Sequence, residues 1–519
     1  MRIRSIKYLI FIAVLIYSCK ADEPYILDIP KSQNPDSSNT GYLFDLDPDN
    51  YKGVPLSDIY EVSVTQGDKK EKIVVFQNAC PEYIPNYMDL TENDKFPLDI
   101  FKDRTINWAN FSFDGTIKIE VKVISHIIKL SSNVQIWPSR HQVIPDVNAN
   151  IITFTINKPG QYSVEIGSEG YKNGLVIFAN PKETDIPDPH SSQILVLNQA
   201  SKNEVNNLPA SINSIYFEKG VHDIGVFEIP SNIKSVYLKE GAWVYGSFIM
   251  NNNADVKIYG RGILSSGNLK FRESHCIEAL NGSHNIKLDG IVVADSKYFA
   301  VRLIGRNNHV NWVKIIGGWT YNCDGIAAYE GSTVKNCFIW ANDDAIKIYR
   351  NNINWQDIVV WQLNNGGVIQ MGWGGSNATN VNVKGVDVLR AEWNKPGFNR
   401  ALLNCVGNRY QNPEQSGSQK NWIIEDVITE TAIPVVFNIT PDIFSYNEIK
   451  NITLKNWNVK MPMNTSFVNE IKGNSNIPAN YISGLTFDNI IFNNIKLTNS
   501  NWISTTQIET ANIVEPIFK

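Results

Sequence analysis

From about Gly53 to Pro187 apolar and polar residues alternate in short bursts separated by turn signals. Ile59-Tyr-Glu-Val-Ser-Val, Lys72-Ile-Val-Val-Phe, Thr116-Ile-Lys-Ile-Glu-Val-Lys-Val and Ile151-Ile-Thr-Phe-Thr-Ile each read as a strand. Lys158-Pro-Gly-Gln-Tyr-Ser-Val-Glu-Ile opens another through a tight turn. A period of two marks strands with one buried face, and short strands at this spacing predict an antiparallel β-sandwich over residues 53–187. Asn180-Pro-Lys-Glu-Thr-Asp-Ile-Pro-Asp-Pro-His190 carries three prolines and reads as a linker.

Beyond Ile194 the pattern changes. A hydrophobic anchor recurs at Ile286, Val310, Val334, Ile353 and Val381, with gaps of 24, 24, 19 and 28 residues. Each anchor starts a similar phrase: Asn285-Ile-Lys-Leu-Asp-Gly-Ile-Val-Val, His309-Val-Asn-Trp-Val-Lys-Ile-Ile, Thr333-Val-Lys-Asn-Cys-Phe-Ile-Trp, Asn352-Ile-Asn-Trp-Gln-Asp-Ile-Val-Val. Echoes follow at Trp422-Ile-Ile-Glu-Asp-Val, Asn451-Ile-Thr-Leu-Lys-Asn-Trp and Gly484-Leu-Thr-Phe-Asp-Asn-Ile. Asn and Gly recur where the chain must turn, because both tolerate left-handed backbone geometry. Long helical periodicity is missing. These features predict a parallel β-helix over 194–519, each coil burying its apolar face against the next. A propeller blade needs four antiparallel strands in about 40–50 residues, longer than these gaps.

Composition agrees with a folded, all-β protein. The chain of 519 residues is long enough for two or more domains, at 43% hydrophobic and 19% charged. The net charge is −5, from 47 basic and 52 acidic residues without a basic run, so nucleic acid is an unsuitable partner. The N-terminus reads as an export signal: Arg2, Arg4 and Lys7 precede an apolar run, Tyr8 to Ile16, too short to span a bilayer. Leu15-Ile-Tyr-Ser-Cys19 resembles a bacterial lipoprotein cleavage box with Cys19 lipidated, so residues 20–52 would be a polar tether. A monomer anchored by lipid at the bacterial cell envelope, on the outer membrane or in the periplasm, is expected. The other cysteines, Cys80, Cys276, Cys323, Cys337 and Cys405, are odd in number and without Cys-x-x-Cys spacing, which argues against a zinc site or a disulfide framework.

The candidate chemistry lies in three aspartates, Asp324 and the Asp343-Asp344 pair, 19 residues apart and so about one coil apart. Stacking would bring them together, and carboxylates on a rigid surface suit the cleavage of a glycosidic bond. Strict alternation places Asp343, Ala345, Lys347 and Tyr349 on one face and Asp344, Ile346 and Ile348 on the other. Asp344 therefore needs a local turn to escape the interior. Turn chemistry or a calcium site are the plainer uses of such a cluster. Lys347 and the aromatics Trp319, Tyr349 and Trp373 in adjacent coils favour a carbohydrate site.

Asn-Cys-Asp324-Gly, then Asn-Asp343-Asp344-Ala-Ile-Lys-Ile-Tyr, then Gly367-Val-Ile-Gln-Met-Gly-Trp373 together resemble glycoside hydrolase family 49. That family comprises dextranases and isopullulanase, with a β-sandwich preceding a right-handed parallel β-helix, and the resemblance covers nearly the whole mature chain. Polygalacturonases of family 28 share the β-helix and an aspartate triad but add Gly-His-Gly and Arg-Ile-Lys segments. This chain has Gly366-Gly-Val-Ile-Gln at the first place and no Arg-Ile-Lys triplet, which makes pectin the less suitable substrate. The resemblance implies an inverting endo-hydrolase of an α-glucan, with dextran and its α-1,6 links preferred. It also implies Asp343 as general acid, with Asp324 and Asp344 activating the water across a gap of about 6.5–9.5 Å. Lys347 would tune the charge or bind a sugar hydroxyl, and Tyr349, Gln370, Trp373 and Trp319 would line the cleft. No cofactor and no metal are implied. The alternatives are a hydrolase of pectin or an algal galactan on the same β-helix, and a non-catalytic glycan-binding lipoprotein.

Overall fold

The computed structural model describes residues 54–81, 98–130, 133–373, 376–397, 399–406, 417–441, 446–462, 466–473 and 482–519. The export signal, Cys19 and the tether lie outside the described residues. Two five-stranded sheets come first. One runs Lys69–Ile73, Tyr60–Gln66, Ile117–Val123, Ile151–Ile156, Asp146–Asn148, and every pairing in it is antiparallel. The other runs Val75–Ala79, Thr105–Phe113, Asn173–Pro181, Gly160–Ile166, Val134–Trp137, with its second and third strands parallel. Ile119, Val121, Phe111, Ile152 and Ile177 fill the space between the sheets. Thr105–Phe113 is buried along nearly its whole length, which alternation alone would not produce. Its second face lies against the next unit of the fold.

That unit is a parallel β-helix from Ile194–Leu197 to Ile517–Phe518, each coil contributing a strand to each of three ladders. One coil shows the plan: Ile326–Ala328, Thr333–Lys335 and Phe338–Ala341, after which Ile346–Ile348 stacks on Ile326–Ala328. The turns need left-handed backbone, and asparagine supplies it at Asn285, Asn352, Asn380, Asn421 and Asn451, with φ between 55° and 59°. Their side chains also bond from rung to rung, Asn421 to Asn380 at 3.3 Å and Asn451 to Asn421 at 3.1 Å. The repeated Asn-Ile phrase thus encodes a turn followed by a core residue. All five anchors are buried, but they occupy two neighbouring inward rows. Val310 stacks on Val334, whereas Ile353 stacks on Val381 two residues nearer the turn.

The sandwich packs on the third ladder of the helix. Trp108, Phe178 and Phe76 meet Trp243, Phe338, Trp340 and Trp361, all within 3% of full burial. Around this apolar contact lie ion pairs that join the two units: Arg104 with Glu392 at 2.6 Å, Arg390 with Glu165 at 2.8 Å and Arg140 with Asp387 at 2.7 Å. The proline-bearing segment is not a loose linker, because the helix gives it partners. Pro181 ends a strand, Glu183 accepts from the Tyr237 hydroxyl at 3.3 Å, and Asp185 pairs with Lys257. The five later cysteines are all unpaired, four of them buried.

Replacing Asn421 by valine puts a β-branched residue at positive φ, and it should lower stability by about 1–3 kcal/mol. Thermal unfolding measures this. Asn421→Gly should cost less, and an equal cost for both would assign the effect to the side-chain ladder instead of the backbone.

Candidate active site

The aspartates are carried by the bend between Phe338–Ala341 and Ile346–Ile348 and by the matching bend one rung earlier. Here the backbone ladder persists outside the strands: Gly325 N–H donates to Asp344 O and Ala345 N–H to Gly367 O, both at 3.0 Å. Asp324 and Asp344 therefore hold the same position on successive rungs, about 4.8 Å apart. Because Asp344 lies in the bend, strand alternation does not bind it, and its carboxylate turns to the outer face while Ile346 and Ile348 stay in the core. Glycine makes the stack possible. A Cβ on Gly366 would come 2.2 Å from the Asp343 carbonyl carbon and 2.3 Å from the Asp344 nitrogen.

Each carboxylate has distinct partners. Asp343 Oδ2 accepts from the Asn322 N–H at 3.1 Å and from Asn365 Nδ2 at 2.8 Å, and its Oδ1 accepts from the Asp344 N–H at 2.9 Å. Asp344 Oδ1 accepts from Gly367 N–H at 3.0 Å, and Oδ2 from Trp373 Nε1 at 2.6 Å. Lys347 lies between two of the three, its Nζ 2.5 Å from Asp324 Oδ2 and 3.3 Å from Asp344 Oδ2. Asp324 Oδ1 is buried with no partner among the described residues.

Burial is the largest influence on all these charges. It pushes the Asp343 carboxyl up to about 6, with the neighbouring Asp344 charge adding to the rise and Lys347 opposing it. Burial also raises Asp324, against the attraction of the Lys347 ammonium. For Lys347 burial acts to lower the pKa, but Asp324, Tyr349, Asp344 and Asp343 outweigh it and keep the amine protonated. An oxygen from each of the three carboxylates lies within 4.8 Å of the others, a cluster able to hold a cation. The Lys347 ammonium already stands between Asp324 and Asp344, where a metal would have to displace it.

The expected lining residues divide. Tyr349 is half-buried and stacks on Tyr329 at 5.0 Å, offering an aromatic surface two residues from Lys347, whose ammonium lies 5.7 Å from its ring. Trp373 is half-buried and bonded to Asp344. Two expectations need correction. Trp319 is 3% exposed and belongs to the contact with the sandwich, its ring against Phe101 and Trp340 with the Arg104 guanidinium above it. Gln370 is fully buried, donating to Gly372 O at 2.7 Å and accepting from Asn404 at 2.6 Å, so it braces the sheet and does not touch a ligand.

Sequence reasoning missed Asn365, Phe299, His275 and Arg400. Asn365 sits just before Gly366, whose glycine pair was the available signal. Phe299 receives the Lys347 ammonium at 4.3 Å over its ring. Further along, His275 stacks on Tyr298 at 4.0 Å, and burial lowers its pKa to about 3 with help from Arg302 and Lys347. Arg400 comes from a coil without any motif.

No protein-family model matches the chain. It is similar to the dextranase of Arthrobacter globiformis, 25% identical over 479 residues that cover 78% of this chain and 74% of that protein. It is also similar to the isopullulanase of Aspergillus niger, 23% identical over 413 residues, 69% of this chain and 71% of that one. Among solved structures it superposes on Dex49A from Penicillium minioluteum with a TM-score of 0.72, over 90% of this chain and 95% of that one at 19% identity, a likeness of fold. With the three aspartates stacked on consecutive coils of the same architecture, the chain is a glycoside hydrolase that resembles family 49.

Proposed function

We propose that the enzyme is an inverting endo-hydrolase of an α-glucan, with dextran and its α-1,6 links as substrate. The similarity to a dextranase and an isopullulanase supports the substrate class. The observation that carries the mechanism is the unequal treatment of the three carboxyls. Asp343 alone makes no ion pair with Lys347, and its pKa of about 6 lets it keep a proton for the glycosidic oxygen. Asp324 and Asp344 both bond Lys347, and its ammonium opposes the rise that burial imposes on Asp324. The unpartnered Asp324 Oδ1 suits a hydrogen bond to the attacking water. Tyr349, stacked on Tyr329, offers a face to a sugar ring.

One observation favours a second reading. An upper limit of 4.8 Å between the nearest carboxylate oxygens is shorter than the gap of an ordinary inverting pair and closer to the ~5–5.5 Å of retaining enzymes. Asp324 or Asp344 would then attack the anomeric carbon directly. Pairing with Lys347 weakens either as a nucleophile, which supports the water-mediated route. We also propose that lipidated Cys19 holds the enzyme at the bacterial cell envelope.

Incubation with dextran, pullulan and polygalacturonate, followed by product sizing, should give rapid shortening of dextran into mixed oligosaccharides; cleavage of only polygalacturonate would refute the α-glucan reading. Asp343→Asn should lower kcat by about 10²–10⁴-fold with folding intact. Because the acid works protonated, kcat/KM of the wild type should fall as pH rises through about 6. Full activity of the variant would remove Asp343 from the acid role. Proton NMR in the first minutes of reaction should show the β-anomer from an α-linked substrate, and an α-anomer selects the retaining route. Growth with a palmitate analogue should label the wild type and not Cys19→Ser, whereas an unlabelled wild type rules out the anchor.

A further inference from the structure

The ladder that carries the aspartates continues towards the C-terminus, and a cleft of about 480 Å³ opens along it. Pro396, Arg400, Val406, Asn438, Phe467 and Glu470 are among its walls. Register fixes its direction. Lys347, Gln370, Asn404, Asn438 and Glu470 follow one another on a single outward row, so Asn438 lies three rungs from Lys347, about 14 Å at the usual strand spacing. The cleft thus lies on the same outward face as the aspartates, further along the ladder.

Arg400 stands at the end nearer the aspartates. It is 6% exposed, and its Nη1 donates to Lys395 O at 2.7 Å. Its Nε finds no acceptor among the described residues. A buried guanidinium N–H left without a partner is costly, and the usual remedy is a ligand or water oxygen. Gly397 leaves the space beside it: a Cβ there would come 2.8 Å from Arg400 Cδ and 3.0 Å from Nε. Burial lowers the Arg400 pKa while the charges of Tyr321 and Asp343 oppose it, so the guanidinium and the acid are electrostatic neighbours. At the far end Glu470 is paired with Lys472 at 2.6 Å, and Lys472 is shared with Glu509 at 2.6 Å. Apolar side chains alternating with convergent polar groups are the composition of a sugar site.

We propose that this cleft holds the leaving fragment of the glycan, with Arg400 donating to a hydroxyl of its first sugar. The proposal rests on Asp343 as general acid. That acid protonates the oxygen that departs with the leaving fragment, so the groups beside it on this side face that fragment. Sugar hydroxyls bonded by Arg400 and Asn438 then set how the departing chain is oriented while the bond breaks.

The test compares wild type, Arg400→Met, Arg400→Lys and Gly397→Ala on long dextran and on an aryl α-isomaltoside, whose phenolate departs without filling the cleft. Loss of a charged donor should lower kcat/KM on dextran by about 10- to 100-fold in Arg400→Met, mostly through KM. The loss on the aryl glycoside should be clearly smaller, and Arg400→Lys should recover part of the activity on dextran. Gly397→Ala keeps the charge but crowds the guanidinium, and it should follow the pattern of Arg400→Met; circular dichroism melts check that each variant is folded. Equal losses on both substrates, or none on dextran, overturn the proposal. If the wild type cleaves neither substrate, the α-glucan reading fails. Calorimetry with isomaltotriose then decides the cleft: weaker binding by Arg400→Met supports it, and equal binding overturns it.

Discussion

The spacing between successive coils governs this molecule more than any single contact. Parallel strands repeat about every 4.8 Å, and the ladder holds that distance through the bends that carry Asp324 and Asp344. Three carboxylates are consequently held closer than like charges tolerate out of water. Lys347 rises from the strand directly after the bend and bonds two of them, while Phe299 and Tyr349 flank its ammonium. Neither side of this arrangement is stable alone. Removing one partner of a buried ion pair costs about 3–5 kcal/mol, because the other charge is stranded. The carboxylates and the amine are mutual conditions for each other's burial.

The sandwich enters the same account through packing. Its aromatic face covers the third ladder, and Trp319 is the point where that cover reaches the site. Phe101 and Arg104 hold the Trp319 ring from the sandwich side. The Trp319 carbonyl accepts from Asn342 Nδ2 at 2.5 Å, and Asn342 directly precedes Asp343. Asn342 Oδ1 in turn accepts from the Asn365 N–H, and Asn365 holds the Asp343 carboxylate. A continuous run of contacts therefore links the sandwich to the bend that carries Asp343.

Much of this was legible along the chain. Alternation, turn residues and the recurring Asn-Ile phrase announced a sandwich and then a solenoid, because each reflects a local rule: period two for a half-buried strand, asparagine for a left-handed turn. Asp324, Asp343 and Lys347 stood out for the same reason, since carboxylates one coil apart must meet in a stack. The difficulty with Asp344 was a sign of the answer. A carboxylate that alternation would bury lies in a bend, where alternation does not apply. The anchors misled slightly, because coil lengths vary and residues two positions apart can both be buried.

What the sequence determined by itself was the period of the chain and the chemistry it repeats, both local properties of short segments. What only the tertiary structure decided was which polar and aromatic residues stay open beside the aspartates and which are covered. Trp319 looked like a lining residue because it lies close to Asp324 in sequence, but the sandwich covers it. Gln370 lies on the outward row beside Lys347, yet its amide is taken by Asn404 and Gly372. Arg400 had no motif around it and became visible only when its unpartnered Nε opened beside a cleft. Burial is set by what the rest of the fold lays over a residue, and no local pattern records that.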